Sequence, residues 1–423
     1  MAKCQEPFGE QVPHFEPPWY QGFHSPYYSE SHVRYRAAVR EFVEAEVWPN
    51  AEAWIKTGYP KELHRKAFEA GVSGILYPVE YGGTLPGGGQ KDMFHELILW
   101  DETQRGSFGA LTQLSINSMA MPPILAFASP ALKERVVRSV ATGMKDCSLA
   151  ISEPTAGSDV ANIKTTAEDR GDHYLVNGQK KWITGGLMAD FFTLTVRTGK
   201  AGRSGLSLLL LDRDTPGVHI RKMETAADSS HNTTFITLED VKIPKENLIG
   251  EEGQGFKYIL LNFNHERWVI GCQAVRGCRE IYADTFKYAM KRKTFGVTLM
   301  EHQAVRMKFA EMSRQFEALH SMLEMVAHQY SCGMHDSQLG SLCALIKVNA
   351  SRAFDFCTRQ CSQAQLSSGS RKGVWRRKYS QRGAGQVGGA GATGRICNRY
   401  TWRVGGNCSG SCGSSGCGEG SGA

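Results

Sequence analysis

The chain reads as an α+β protein in three parts: an N-terminal α-helical domain, a central β domain and a C-terminal helical bundle. Three observations predict this. A helical period runs between Ser31 and about Lys145, the period changes to two between Cys147 and Gly250, and long helical periods return from Phe256. At 423 residues the chain exceeds one core, and 41% hydrophobic with 22% charged residues is the balance of a soluble globular protein. Collagen, coiled coil and wholesale disorder are thereby excluded.

In the first part Ala38, Val39, Phe42, Val43 and Val47 fall on one face of a helix expected to end before Pro49. A second helix runs from Pro60 to a Gly71 stop, and a third has Ser129 as cap with Pro130 in its first turn. In the second part Phe192, Leu194 and Val196 alternate with Thr193, Thr195 and Arg197, and Leu206–Leu211 reads as a fully buried strand. Asn177-Gly178 is a two-residue hairpin signal, and the lack of helical crossovers argues against a Rossmann unit. In the third part Trp268, Cys272, Val275, Cys278, Tyr282, Phe286 and Ala289 recur every three or four residues, and 300–330 and 338–362 continue in the same style. The expected division is 1–30 as an N-terminal extension, 31–146 helical, 147–250 β, 251–363 a helical bundle and 364–423 a tail.

No apolar run approaches the roughly 18 residues of a membrane span, and Met1–Pro18 has neither a basic nor an apolar signal region. Twelve cysteines without a secretory segment read as reduced thiols, which implies an intracellular, non-secreted protein with the organelle open. The net charge of +7 resides in the tail, where the last 60 residues hold 9 of the 49 Lys+Arg and 1 of the 42 Asp+Glu. With 16 of the 46 glycines and almost no aliphatic residues, that tail is expected to be disordered or frame-shifted. Three apparent motifs in it fail their context tests. Gly383-Ala384-Gly385-Gln386-Val387-Gly388 follows no strand, Cys408, Cys412 and Cys417 lack paired ligands for a metal, and Arg376-Arg377-Lys378 has no recognition fold for nucleic acid.

Four segments stand out: Leu149-Ala150-Ile151-Ser152-Glu153-Pro154-Thr155-Ala156-Gly157-Ser158-Asp159, Lys181-Trp182-Ile183-Thr184-Gly185-Gly186, Asn264-His265-Glu266-Arg267, and Arg292-Lys293-Thr294-Phe295-Gly296 followed by His302-Gln303. Each alone is ordinary turn, strand or helix-end chemistry. In this order, on a helix-β-helix chain, they resemble the acyl-CoA dehydrogenase family of flavoproteins over residues 30–363. The resemblance implies FAD as cofactor, with Leu149, Ala150, Ile151, Ser152, Ser158, Trp182, Ile183 and Thr184 lining it. Trp182 would lie against the ring and Thr184 near its reactive edge. Such a ring needs an apolar wall, hydrogen bonds to its polar edge and backbone donors for its pyrophosphate, which a turn of small residues beside a β domain can provide. Arg292, Lys293, Thr294, His302 and Gln303 would reach the FAD of a neighbouring subunit, which implies a homodimer or homotetramer.

The reaction implied is α,β-dehydrogenation of an acyl-CoA thioester, with a carboxylate taking the Cα proton while hydride leaves Cβ for the flavin. Glu266, directly before Arg267, occupies the helix position for the base used by the isovaleryl and long-chain branches. Its pKa is expected to rise by desolvation, opposed by a position early in a helix. Ser158, Asn264, His265 and Arg267 are the expected substrate contacts. Electrons would pass to another flavoprotein, in fatty-acid β-oxidation or specialised-metabolite biosynthesis. An oxidase on the same fold and a catalytically impaired relic are the alternatives.

After Gln363 the family would continue with Phe-Gly-Gly and, later, Ile-Pro-Gly-Gly-Ser-Glu-Glu-Ile, neither of which the sequence contains. Codons compatible with Tyr400–Cys408, read one nucleotide forward, can spell the second motif. The tail is therefore expected to be a frame error, and the chain as written to bind FAD weakly.

Overall fold

The computed structural model describes residues 6–105, 111–225 and 232–366. Apolar residues three and four apart give α1 (Glu30–Phe42) its buried Tyr35, Val39 and Phe42. The α-helix stops sooner than Pro49 demands, yet the chain keeps winding. A π turn over Val43–Val47 and a 3-10 turn over Trp48–Asn50 lead into α2 (Ala51–Thr57), because a proline in a first turn forfeits no helical bond. Next come α3 (Glu62–Glu69), which ends ahead of Gly71 at φ 74°, and α4 (Met93–Thr103), capped by Asp92. The helical layer closes with α5 (Thr112–Ala120), α6 (Pro122–Phe127) and α7 (Pro130–Ala141), where Ser129 Oγ accepts from Leu132 N at 3.2 Å.

The stretch read as an N-terminal extension is built into this layer. Glu16 is buried, and its carboxylate meets Arg40, Arg105 and Arg276, while the Phe15 and His14 carbonyls accept from Arg276 and Arg279. Ion pairing of this kind leaves no hydrophobic period, so it was not visible along the sequence.

Among the described residues eight strands form one sheet: β1 (Cys147–Ala150), β2 (Thr166–Asp169), β3 (His173–Ile183), β4 (Phe191–Arg197), β5 (Leu206–Asp212), β6 (Val218–Lys222), β7 (Thr234–Pro244) and β8 (Leu248–Ile249). Their order is β6-β7-β3-β2-β4-β5-β8, with β1 parallel beside β4. The β4 alternation sorts two buried faces. Phe192, Leu194 and Val196 enter the sheet core, whereas Thr193 points the other way and donates to Ala120 O at 2.8 Å.

Asn177-Gly178 makes no hairpin turn. It lies within β3 at a register shift, where the Asn177 side chain exchanges hydrogen bonds with Asp240 of β7. Glycine is required because a Cβ there would stand 2.7 Å from Thr165 Cα. The β2–β3 turn is instead made at Gly171, φ 91°, between Asp169 and His173. Asn-Gly is adapted to unusual backbone in bulges as well as turns, so the dipeptide could not say which.

The bundle is α8 (Gly255–Lys291), α9 (Gln303–Ser331) and α10 (Asp336–Leu366), with a small hairpin of β9 (Lys293–Thr294) and β10 (Val297–Thr298) after α8. Of the positions expected inward on α8, Trp268, Cys272, Val275, Cys278, Tyr282 and Ala289 are buried. Gly271 lets α10 approach, since a Cβ there would meet Ile346 Cγ2 at 2.4 Å. The helix α10 runs through Gln363 to Leu366, and the tail readings fall outside the described residues. Among the described residues no helix is long and apolar enough to cross a membrane, and Cys147, Cys272, Cys278, Cys332, Cys343, Cys357 and Cys361 are free thiols.

Candidate active site

The first two segments meet where the turn after β1 runs beside the end of β3. Leaving β1, the chain turns through residues 151–158, closed by Glu153 N donating to Ala156 O at 2.8 Å. Lys181 N then donates to Ser152 O at 2.8 Å, so the turn and the end of β3 are joined by backbone.

Two residues outside the expected cofactor contacts, Glu153 and Lys180, lock this junction. The buried Glu153 carboxylate accepts from Lys164 N at 2.7 Å and Thr165 N at 3.0 Å, and from Lys180 Nζ at 2.9 Å. Lys180 Nζ also donates to Ile151 O at 3.1 Å. Burial depresses the Lys180 pKa to about 8 against the pull of Glu153, and the same pairing holds Glu153 below the ordinary carboxylate range despite its own burial. The period of two on β3 could have found Lys180, since it shares a face with Tyr174 and Val176.

Trp182 is the irregular residue of the junction. It sits at a register shift between Lys181 and Ile183, at φ 68°, with 55% of its surface exposed. A left-handed tryptophan costs about 1–3 kcal/mol and persists only where its surroundings over-determine it. The bulge turns its indole outward, beside half-buried Thr184, while Ile183 points into the core. Leu149 and Ser152 are half-buried, Ala150 and Ile151 are buried, and Ser158 is exposed.

The third segment lies mid-helix. Because α8 begins at Gly255, Glu266 is three turns in, and the expected opposition from a helix N-terminus does not apply. Leu149 and Ile151 share an apolar cluster with Tyr258, Ile259 and Phe263, which brings the turn beside the stretch of α8 that leads to Glu266. Glu266 Oε1 accepts from Asn262 Nδ2 at 2.6 Å, and that amide also donates to Met119 O at 2.5 Å. Desolvation lifts the Glu266 pKa to about 8, outweighing the lowering by His265, Arg267 and Asn262.

Its neighbours are engaged elsewhere. Asn264 donates to Asp336 Oδ2 at 2.8 Å and accepts from Arg267 Nη1 at 2.7 Å, which ties α8 to the start of α10. His265 Nε2 meets Glu96 Oε1 at 2.6 Å. Asn262 and Glu96 escaped the sequence reading, although Asn262 precedes Glu266 by one turn and shares its helix face.

The fourth segment is not brought to this site within one chain. Some 25 residues of α8 separate Glu266 from Lys291, about 38 Å. There Arg292 and Lys293 lead into the β9–β10 hairpin, Thr294 Oγ1 meets His302 Nε2 at 3.0 Å, and Gln303 opens α9. Phe295 at the hairpin tip is 97% exposed.

A metal-like grouping elsewhere has another explanation. His32, Asp92 and His95 converge, but Nδ1 of His32 accepts from Ser29 N and Nδ1 of His95 from Asp92 N, so these are two helix-capping boxes sharing a carboxylate.

Family profiles for the N-terminal, middle and C-terminal domains of acyl-CoA dehydrogenase match residues 29–144, 148–241 and 253–378. The chain belongs to the acyl-CoA dehydrogenase family. It is 36% identical over 379 residues to an acyl-CoA dehydrogenase of Alternaria alternata, covering 85% of this chain and 88% of the relative. With the cyclohexane-1-carbonyl-CoA dehydrogenase of Geobacter metallireducens the identity is 30%, over 74% of this chain and 82% of the relative. A solved acyl-CoA dehydrogenase structure from Mycobacterium abscessus superposes with a TM-score of 0.79 at 31% identity, covering 90% of this chain and 96% of that one. As a family member the chain is an oxidoreductase acting on acyl-CoA.

The residues present fit a flavin. Half-buried Leu149, packed with Ile151, supplies apolar surface, Ser152, Ser158 and Thr184 supply hydroxyl donors, and the outward Trp182 supplies an aromatic face that the fold strains its backbone to present.

Proposed function

We propose that the chain is an FAD-dependent α,β-dehydrogenase of acyl-CoA thioesters with Glu266 as the base. FAD, when bound, supplies the hydride acceptor. The observation that carries the reading is the position of the half-buried Glu266 carboxyl on the helix beside the 149–158 turn, where desolvation raises its pKa to about 8, within reach of physiological pH. Asn262 fixes one carboxylate oxygen and leaves the other to accept the Cα proton. Leu149, Ser152, Ser158, Trp182 and Thr184 are the proposed cofactor contacts by side chain, and Ala150, Ile151 and Ile183, whose side chains are buried, by backbone. Ser158 is the proposed contact for the CoA portion of the substrate. Asn264 and Arg267 act on substrate chiefly by holding the helix face that carries Glu266, as their mutual bond and the tie to Asp336 support.

The exposed Phe295 and the distance along α8 support assigning Arg292, Lys293, Thr294, His302 and Gln303 to the FAD of a second copy, in a homodimer or homotetramer. An electron-transfer flavoprotein is the proposed acceptor. The test is anaerobic mixing of FAD-loaded protein with a panel of straight, branched and alicyclic acyl-CoA thioesters. At least one should bleach the flavin, Glu266→Gln should abolish that bleaching, and bleaching that survives the substitution removes Glu266 as base. Peroxide release in air would assign dioxygen as the acceptor in place of a flavoprotein.

A further inference from the structure

We infer that Glu96, on α4, is a positioning residue for the proton abstraction assigned to Glu266: it keeps His265 protonated, and the adjoining imidazolium favours the anionic, proton-accepting form of the base. The inference rests on the base reading above.

The contact is direct. His265 Nε2 lies 2.6 Å from Glu96 Oε1, and Trp100 Nε1 donates to the same oxygen at 2.9 Å, fixing the carboxylate against the ring. Glu96 and His265 are 15% and 25% exposed, so little solvent screens them. Burial alone would strip the proton from the imidazole, but Glu96 overcomes this and its proton affinity is raised. Glu96 in turn is held below the ordinary carboxylate range, against its own burial, by His265. Among the charges acting on Glu266, His265 is the largest that favours the ionised form, ahead of Arg267.

Of the other charges nearby, Arg267 favours the ionised base as well but less than His265 does, with its guanidinium bonded to Asn264. Lys91 lies before α4 and donates to the Ile75 and Tyr77 carbonyls, and Asp336 at the start of α10 is acidic. On α1, Tyr35 donates to Val72 O, and on α5 the neutral Met119 carbonyl accepts from Asn262. The dyad therefore offsets part of the desolvation that burial imposes on the base.

The test uses the full-length, FAD-loaded protein labelled with 13C at histidine Cε1 and glutamate Cδ, with signals assigned by loss in His265→Gln and Glu266→Gln. In Glu96→Gln the His265 midpoint should fall by at least one pH unit and the Glu266 midpoint should rise above about 8 by about one unit. With the panel thioester that reduces wild type fastest, the acid limb of flavin reduction should move upward by the same amount, about a tenfold loss of rate at pH 7. His265→Gln, which removes the cation without touching Glu96, should raise the Glu266 midpoint alike and serves if Glu96→Gln misfolds. An unmoved Glu266 midpoint in both variants overturns the dyad, whatever the turnover. Turnover that survives Glu266→Gln overturns the base reading instead, and leaves the titrations to decide the dyad.

Discussion

Glu266→Gln should make the protein's stability less sensitive to alkali. The folded chain keeps the Glu266 proton up to about pH 8, whereas an unfolded glutamate releases it near 4.5. Between those values the native state binds more protons than the unfolded state, so wild-type stability falls as pH rises through the window, and the variant lacks that slope. A displacement from 4.5 to about 8 corresponds to a ceiling of about 5 kcal/mol, at about 1.4 kcal/mol per pH unit. Solvent reaching the partly exposed residue reduces this, so a gain of about 2–3 kcal/mol for the variant between pH 5 and 8 is expected. Urea unfolding of flavin-free protein at unit pH intervals measures it, each variant compared with wild type at the same pH. A stability difference that stays flat from pH 5 to 8 would refute the reasoning, because it would mean that Glu266 titrates as an ordinary surface carboxyl.

Trp182→Gly should relieve the left-handed backbone at φ 68° and leave thermal stability unchanged or higher by about 1 kcal/mol. The same variant should weaken FAD binding at least tenfold by flavin-fluorescence titration, and unchanged affinity would remove the indole from the cofactor wall. Glu16→Gln, which strips a buried counter-charge from Arg40, Arg105 and Arg276, should cost about 3–5 kcal/mol in urea unfolding. A loss below 1 kcal/mol would show that the N-terminal segment is only loosely applied. Phe295→Asp should lower the oligomer mass seen by light scattering without lowering the unfolding temperature of the monomer, because the side chain touches little within its own chain.

Much of the fold was legible because its signals are local. Seven apolar positions along α8, the Ser129-Pro130 start of α7 and the aliphatic run of β5 each follow from chain periodicity and capping, and each element formed where its pattern lies. The exceptions were positions where one local signal serves two geometries. Asn177-Gly178 fits a bulge as readily as a turn, and Pro49 halts an α-helix without unwinding the chain. The built-in N-terminal segment escaped altogether, since Glu16 is held by arginines from α1, from beyond α4 and from α8, which only folding brings together.

The site divides along the same line. The sequence by itself determined which residue types stand at the turn after β1, at the end of β3 and at Glu266, because those segments are contiguous motifs. What only the tertiary structure decided is their chemistry. The proton affinity of Glu266 is set by burial against other elements and by an imidazole whose partner, Glu96, lies 169 positions away. The outward turn of Trp182 comes from a register shift against β7, and the 149–158 turn is locked by Lys180 from another strand. Charge and desolvation act through space over a few ångströms, whereas sequence patterns report neighbours along the chain, and only the packed fold converts one into the other.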